Sequence, residues 1–410
     1  MKKQIMQISI KSKSAMEMLY LCVVAIVSFF TVINESLLAK HFIYNLVWFF
    51  SCGILGFLLI SKNNYTLKRF IFKIFIIFVF IIAAYLTRRK HLCLYILMAI
   101  CAYLTSFRSV VKTTFFATSI ALVGIFSLSI IKVLPDYAFF HEGKVAHSLG
   151  FFYYSASSYI VLFNTLKYLY LRNYKAKWLE IGVCFLINYI IYRITTVRLS
   201  FILIVIVVGL FVFLVKLNLT NINNNFTKSL SVCLFPLSCI MTVYGALKYN
   251  NNNPNWLQLD ELLNGRLTLS NIALKTYQIP LFGQYIEMHG NEYNKTVHNY
   301  FYIDSGYIYS ILGYGMLFTI TVIILYSILY EKSCKDNNKI IWIWLTATMI
   351  FTIVNNSWVT LPYNPLLIFI FTKSETKRIS SDLFVATHNK WRDKFVSAKY
   401  KEKLHIQYHL

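Results

Sequence analysis

Arginine in or beside an apolar run is costly at membrane depth, so it is a functional candidate wherever it occurs. Arg198 lies in RITTVRLSFILIVIVVGL, between two apolar stretches and shortly after Arg193, while Arg266 opens the amphipathic stretch NGRLTLSNIALKTYQIPLFGQ. Fixed guanidinium groups make bidentate contacts to phosphate and stabilise charge that develops on a leaving group. Gly209 follows Arg198 by eleven residues, about three helical turns, which places both on one face and predicts close approach of a neighbouring helix there. Further on, the chain returns to an apolar run through KTVHNYFYIDSGYIYSILGYGMLF. Imidazole has a reference pKa of about 6.5, so His298 is the leading candidate for deprotonating a hydroxyl. Asp304 is the alternative base and His147 a third. An acid at the mouth of a span needs a partner, and Arg198 or Arg266 could supply one. Tyr302 shares a face with His298 if a helix has begun by then. Arg193, His147, Tyr302 and Asn299 form the candidate substrate-binding set. The chain contains no Asp-x-Asp and no His, Asp and Glu cluster at ligand spacing, so no metal or other cofactor is expected.

The elements that must position these groups follow from composition. Of 410 residues, 58% are AVILMFWYC and 14% charged, which is too apolar for an ordinary soluble domain. The 34 Phe and 30 Tyr exclude disorder. Continuous rather than alternating apolar runs argue against a β-barrel. The 40 Lys and Arg against 16 Asp and Glu give a net charge of +24, yet they punctuate apolar runs instead of lining solvated faces, so nucleic acid is not an expected partner. None of the eight cysteines falls in a C-x-x-C pair, and neither a disulfide framework nor a zinc site is expected. The chain reads as an all-α polytopic membrane protein.

At about 20 apolar residues per crossing, spans are predicted near 18–34, 42–60, 70–86, 91–107, 113–131, 149–166, 178–197, 199–215, 229–247, 303–330, 340–358 and 359–372. That is twelve helices, with eleven or thirteen open because 178–215 and 340–372 are paired runs with weak breaks. The first is expected to be uncleaved, because no small-residue cleavage site follows its lysine-rich start. Lys and Arg are retained on the cytoplasmic side, which puts both termini inside and most of the basic excess there, including Lys167 to Lys177. One group misfits: Arg88, Arg89 and Lys90 fall outside. The organisation is then helices one to nine over 1–247, a large extracytoplasmic loop over 248–302, the last three helices over 303–372, and a basic cytoplasmic tail over 373–410 that also meets membrane lipids.

Four patches in order resemble one family. AHSLGFFYYSASSYI (146–160), TTVRLSFILIVIVVGLF (195–211), NGRLTLSNIALKTYQIPLFGQ (264–284) and VHNYFYIDSGYIYSILGYGMLF (297–318) are similar to the bacterial O-antigen and capsular polysaccharide polymerases of the Wzy type, a superfamily that includes the O-antigen ligases. The flanking helices match only in hydropathy, and Ser305-Gly306 stands where the family often has Asn after the Asp. The resemblance implies a GT-C-like membrane glycosyltransferase in the cytoplasmic membrane. It would join undecaprenyl-diphosphate-linked oligosaccharide repeat units at the outer face into O-antigen, capsule or exopolysaccharide. Arg198 and Arg266 would bind the lipid diphosphate, and a flippase and a chain-length regulator of the same pathway would be its partners. Two other readings stay open. A ligase would move finished polymer onto lipid A core. A flippase for the same lipid-linked unit would be expected to show two similar halves and short outer loops.

Overall fold

Length decides which apolar runs can cross a bilayer as helices. In the computed structural model, residues 2–39, 41–61, 67–141, 144–290 and 300–372 are described. Among them the helices are α1 (Lys2–Asn34), α2 (His41–Ile60), α3 (Leu67–Leu86), α4 (His91–Cys101), α5 (Phe107–Ile130), α6 (Tyr154–Arg172), α7 (Trp178–Thr195), α8 (Arg198–Leu210), α9 (Asn225–Lys248), α10 (Pro254–Leu262), α11 (Arg266–Thr276), α12 (Gly306–Tyr309), α13 (Met316–Lys335) and α14 (Lys339–Val354). Seven of the described helices are long and apolar enough to cross a membrane, and three shorter apolar ones accompany them. This is a mostly helical, multi-pass membrane protein. One antiparallel hairpin, β1 (Ala138–His141) with β2 (Lys144–His147), pairs Ala138 with His147.

Successive helices pack antiparallel, so the C-terminal ends of α1, α3, α5, α7, α9 and α14 gather at one end of the bundle, with the hairpin, α10 and α11. We call this the loop end. It is stitched across long sequence separations: the Leu37 amide donates to the Gly150 carbonyl at 3.0 Å, and the Phe152 amide to that of Glu35 at 3.1 Å. Pro236 lies inside α9, where it removes the amide that would bond the Val232 carbonyl. The Ser327 hydroxyl of α13 donates to that carbonyl at 2.9 Å instead.

Two expected spans take a different form. The run 303–330 is not one helix. Ile303–Ser305 is extended, α12 begins at Gly306 and continues as a wider π turn over Ser310–Tyr314, and Gly315, at φ +93°, breaks the chain before α13. The break is filled by backbone from the preceding loop. The Met316 and Leu317 amides donate to the Pro280 and Leu281 carbonyls, each at 3.0 Å, and the Gln284 amide donates to Gly313 at 2.8 Å.

The expected last span, 359–372, is not a spanning helix either. After α14 the chain forms only short 3-10 turns, Asn356–Val359 and Pro365–Ile370. Its start is at the loop end, where the Asn356 amide donates to the Ile303 carbonyl at 3.2 Å. Its finish is at the opposite end, where the Phe369 ring lies 4.8 Å from that of Phe107, the first residue of α5. Irregular backbone survives at such depth only when the protein satisfies its polar groups. Here the Tyr326 hydroxyl and the Asn364 amide both donate to the Trp358 carbonyl, at 3.2 and 3.0 Å. Lys167, near the end of α6 away from the loop end, is fully buried and donates to the Pro362 carbonyl at 2.8 Å, to Asn164 at 3.2 Å and to Thr118 at 3.3 Å. Lys167→Met fills the same space but leaves these acceptors unmet. It should lower stability by about 1–3 kcal/mol, read as earlier thermal unfolding of the solubilised protein, and an unchanged melting temperature would remove the lysine's latching role.

Candidate functional site

Arg266 owes its position to a turn that few residues could make. Asn264 and Gly265 both have left-handed backbone, at φ +56° and +75°. The chain reverses there, and the Asp260 carboxylate of α10 caps α11 by accepting from the Leu267 and Thr268 amides at 2.8 and 3.2 Å. Asn271 ties α11 to the end of α9, its amide donating to the Ala246 carbonyl at 2.7 Å. The guanidinium that emerges is held on three sides. Nε donates to the Val354 carbonyl at the C-terminus of α14 at 3.1 Å, one terminal nitrogen donates to Leu263 at 3.0 Å, and the other lies 3.3 Å from an Asp304 carboxylate oxygen. Five N–H donors in a planar fork leave capacity on both terminal nitrogens for a further oxyanion.

Asp304 sits in the extended piece just before α12. The start of α12 is pressed so closely on the end of α14 that a Cβ at Gly306 would lie 2.5 Å from the Asn355 carbonyl. Burial pushes the Asp304 carboxyl above the ordinary aspartate range, and Arg266 opposes part of that rise. Next to it, Ser305 is buried and its hydroxyl meets no hydrogen-bond partner among the described residues.

Arg266 and Ser305 close one end of a cavity of about 380 Å³. Its walls are Leu234, Leu237 and Met241 of the kinked helix α9, Leu267 of α11, and Met349 and Ile353 of α14. Leu237 and Met241 are exposed on the outer face of the bundle, so the groove opens sideways, where acyl chains would lie. An apolar trough that ends on a guanidinium is shaped for an amphiphile with an anionic head.

Tyr302 is the third expected residue at this place, and it connects Asp304 to a second cluster. Its phenol is raised by burial, a rise that the Asp304 charge adds to and that Arg89 and a bond with Asn356 oppose. Burial pushes the neighbouring Tyr300 up to about 12, so it remains a hydroxyl donor. Arg89 stacks over the Tyr309 ring at 4.3 Å and bonds the Tyr314 hydroxyl, and Arg88 stacks over Tyr285 at 4.7 Å. Glu35, at the end of α1, is the acid that feels Arg89; burial raises its carboxyl, while Tyr159 and Arg89 pull it back.

Other expected residues lie elsewhere. Arg198 opens α8 as an exposed residue, two positions after the left-handed Thr196. Gly209 brings no helix close, since a Cβ there would meet nothing within 4 Å, and the expectation of a tight pairing along that face is corrected. Arg193 is exposed and donates to the Tyr189 hydroxyl one turn back at 3.1 Å. His147 ends the hairpin, its Nδ1 2.7 Å from an Asp136 carboxylate oxygen whose partner oxygen accepts from the Leu149 amide at 2.7 Å. His298 and Asn299 lie outside the described residues. Tyr302 precedes the helix rather than lying on it, because Phe301 pairs with His289 as an isolated antiparallel bridge and α12 starts only at Gly306.

Reasoning from the sequence did not select Glu35, Arg88 and Arg89 as site residues. The signal was nevertheless present, because Arg88, Arg89 and Lys90 were the group that ran against the positive-inside pattern. Searches among protein families, curated proteins and solved structures return no match to this chain.

Proposed function

We propose that the protein is a membrane glycosyltransferase that polymerises undecaprenyl-diphosphate-linked oligosaccharide repeat units at the outer face of the cytoplasmic membrane. The observation that carries this reading is the guanidinium of Arg266 at the head of an apolar groove. The groove suits an isoprenoid tail and the guanidinium its diphosphate, and the tyrosines of the loop end suit sugar faces. The four sequence patches resembling Wzy-type polymerases point the same way. A ligase would use the same donor chemistry, and the product separates the two: single repeat units in cells lacking the protein indicate a polymerase, and free polymer not joined to core indicates a ligase. A flippase would leave no exported glycan.

In the transfer, an acceptor hydroxyl oxygen bonds to the anomeric carbon of the donor sugar. The bond from that carbon to the diphosphate breaks, its electron pair leaves with the diphosphate, and the hydroxyl proton passes to a base. Attack in line with departure places nucleophile and leaving oxygen on opposite faces of the sugar. Arg266 and Asp304 are in contact, at 3.3 Å, so one pair cannot serve both faces. Arg266 therefore takes the leaving diphosphate, Asp304 holds Arg266 in place, and the base is left to His298. Arg198 remains a second candidate for a phosphate.

This assignment sets the pH response. Asp304 orients the guanidinium only as a carboxylate, so activity is lost as pH falls through its pKa. Burial has moved that pKa above the ordinary 3.8, and the acid limb moves up with it. Asp304→Asn should lower turnover and reduce the acid side of the profile from two inactivating protonations, those of Asp304 and of the base His298, to one. A pH–rate profile equally steep on its acid side in the Asn variant would exclude this role.

A further inference from the structure

Serine is favoured at the position that starts a helix because its side-chain oxygen accepts from an amide of the first turn. Ser305 holds that position before α12, and its carbonyl accepts from the Tyr309 amide at 2.8 Å, the first bond of the helix. Its hydroxyl, however, makes no capping bond. The residue is 2% exposed, and the hydroxyl meets no hydrogen-bond partner among the described residues. A buried hydroxyl left unpaired works against folding, so a partner from outside the chain would account for it.

The neighbours of Ser305 fix where it stands. The Ile303 carbonyl accepts from Asn356 at 3.2 Å, Asp304 lies 3.3 Å from Arg266, and Gly306 is seated on the Asn355 carbonyl, where a Cβ would come within 2.5 Å. Arg266 reaches the same place from α11. Its Nε donates to the Val354 carbonyl at 3.1 Å, one residue before Asn355, and consecutive residues are only about 3.8 Å apart. The serine and the guanidinium are therefore neighbours, and both line the end of the apolar groove. Thr242 also lines the groove, but its hydroxyl donates within α9 to the Ser238 carbonyl at 2.7 Å.

The order of groups along the proposed substrate selects what meets this pair. A lipid-linked oligosaccharide runs from tail to diphosphate to sugar. With the tail in the apolar trough, the diphosphate falls at the trough's end and the sugars lie beyond it. The tail offers no acceptor, and a guanidinium offers only donors. A phosphate oxygen is then the atom that reaches this end and can accept from both side chains. Turning one staggered torsion of the serine is enough to aim its hydroxyl.

We propose that Ser305 is a second anchor for the carrier diphosphate, its hydroxyl donating to one phosphate oxygen while the Arg266 fork takes others. The inference rests on the polymerase reading for the identity of the lipid, and it adds to the site a neutral donor acting beside the arginine.

The test uses the full-length solubilised protein, wild type and Ser305→Ala, with undecaprenyl diphosphate and undecaprenol as probes. Alanine removes one atom that has no partner in the described chain, so the melting temperature without added lipid should be unchanged or slightly raised. Affinity for undecaprenyl diphosphate should fall about ten-fold or more, the size of one lost hydrogen bond to a charged group, while affinity for undecaprenol stays as it was. Inorganic pyrophosphate at the same concentration should not displace the lipid. A lower melting temperature in Ser305→Ala would give the hydroxyl a structural partner and overturn the proposal. So would unchanged affinity for the diphosphate, or an equal loss for diphosphate and alcohol, which would assign Ser305 to the shape of the groove. Displacement by pyrophosphate would make free diphosphate the ligand and overturn the lipid anchor. The polymerase reading is tested apart from this: a protein that binds undecaprenyl diphosphate through Ser305, yet does not elongate the lipid-linked unit of its own host, keeps the anchor and rejects the reaction.

Discussion

Cells carrying Arg266→Ala should retain the protein in the membrane and lose long polymer, leaving single repeat units on the lipid carrier. The expected loss of turnover is about 10²–10³-fold, the scale seen when one fixed donor to a developing anion is removed. The geometry explains why the loss should be large. Arg266 is not a mobile surface cation, since it is fixed by the Val354 and Leu263 carbonyls and by Asp304 before any substrate arrives. No reorganisation is then needed when charge forms on the leaving diphosphate. Alanine also strips donors from two carbonyls, so Arg266→Lys is the informative companion. Lysine keeps the charge and can satisfy one carbonyl, but it cannot span both and still present a fork to phosphate. Its protein level should be normal and its turnover reduced by at least about ten-fold. Full-length polymer from either variant would remove Arg266 from the diphosphate site. A variant that fails to accumulate would report on folding, and for that reason membrane abundance is measured beside glycan length.

Much of the bundle is legible in hydropathy, because the bilayer leaves a chain few ways to satisfy its backbone. The interior is where that logic loses resolution. Residues 359–372 are apolar enough to read as a helix, yet Pro362, Asn364 and Pro365 make an irregular crossing, possible because Lys167, Tyr326 and Asn364 supply the missing hydrogen bonds. Those partners come from distant positions, and a window of sequence does not contain them. The same limit explains Lys167, whose charge resembles a topology marker until Pro362 is brought to it. At the candidate site, Arg266, Asp304 and Tyr302 could be chosen because each is a polar group at an apolar boundary. Glu35 and Arg89 could not be attached to them, since their connection through Tyr302 and Tyr159 is tertiary. The misplaced charges of 88–90 were a topological anomaly in the sequence and become a surface facing Tyr285 and Tyr309 only after folding.

Gly315→Ala should be the most disruptive small substitution in the described part of the chain. Its backbone, at φ +93° and ψ +163°, belongs to a region open essentially to glycine alone, so a side chain there costs about 1–3 kcal/mol before any contact is considered. Contact makes it worse. A Cβ at 315 would stand 2.3 Å from the Gly283 nitrogen, 2.6 Å from the Phe282 carbonyl carbon and 2.8 Å from the Leu281 carbonyl oxygen. All three are backbone atoms, so no side chain can swing away to make room. The partner glycine is similarly confined: Gly283 has φ +104°, and its Cβ would lie 2.5 Å from the Gly313 carbonyl. Either alanine must separate 280–284 from 313–317 and break the hydrogen bonds that join them. Between Gly306 and Gly315 lie α12 and its π turn, so pushing on Gly315 moves the element that follows Asp304 and carries the Tyr309 and Tyr314 partners of Arg89. Gly315→Ala and Gly283→Ala should therefore lower the melting temperature of the solubilised protein sharply and abolish polymerisation in whatever fraction still folds. Gly209→Ala is the matched control, because its Cβ points into open space and it should leave both properties unchanged. Wild-type melting and wild-type chain length in Gly315→Ala would mean that the two backbones do not cross there, and the proposed support of Asp304 through α12 would fall with the crossing.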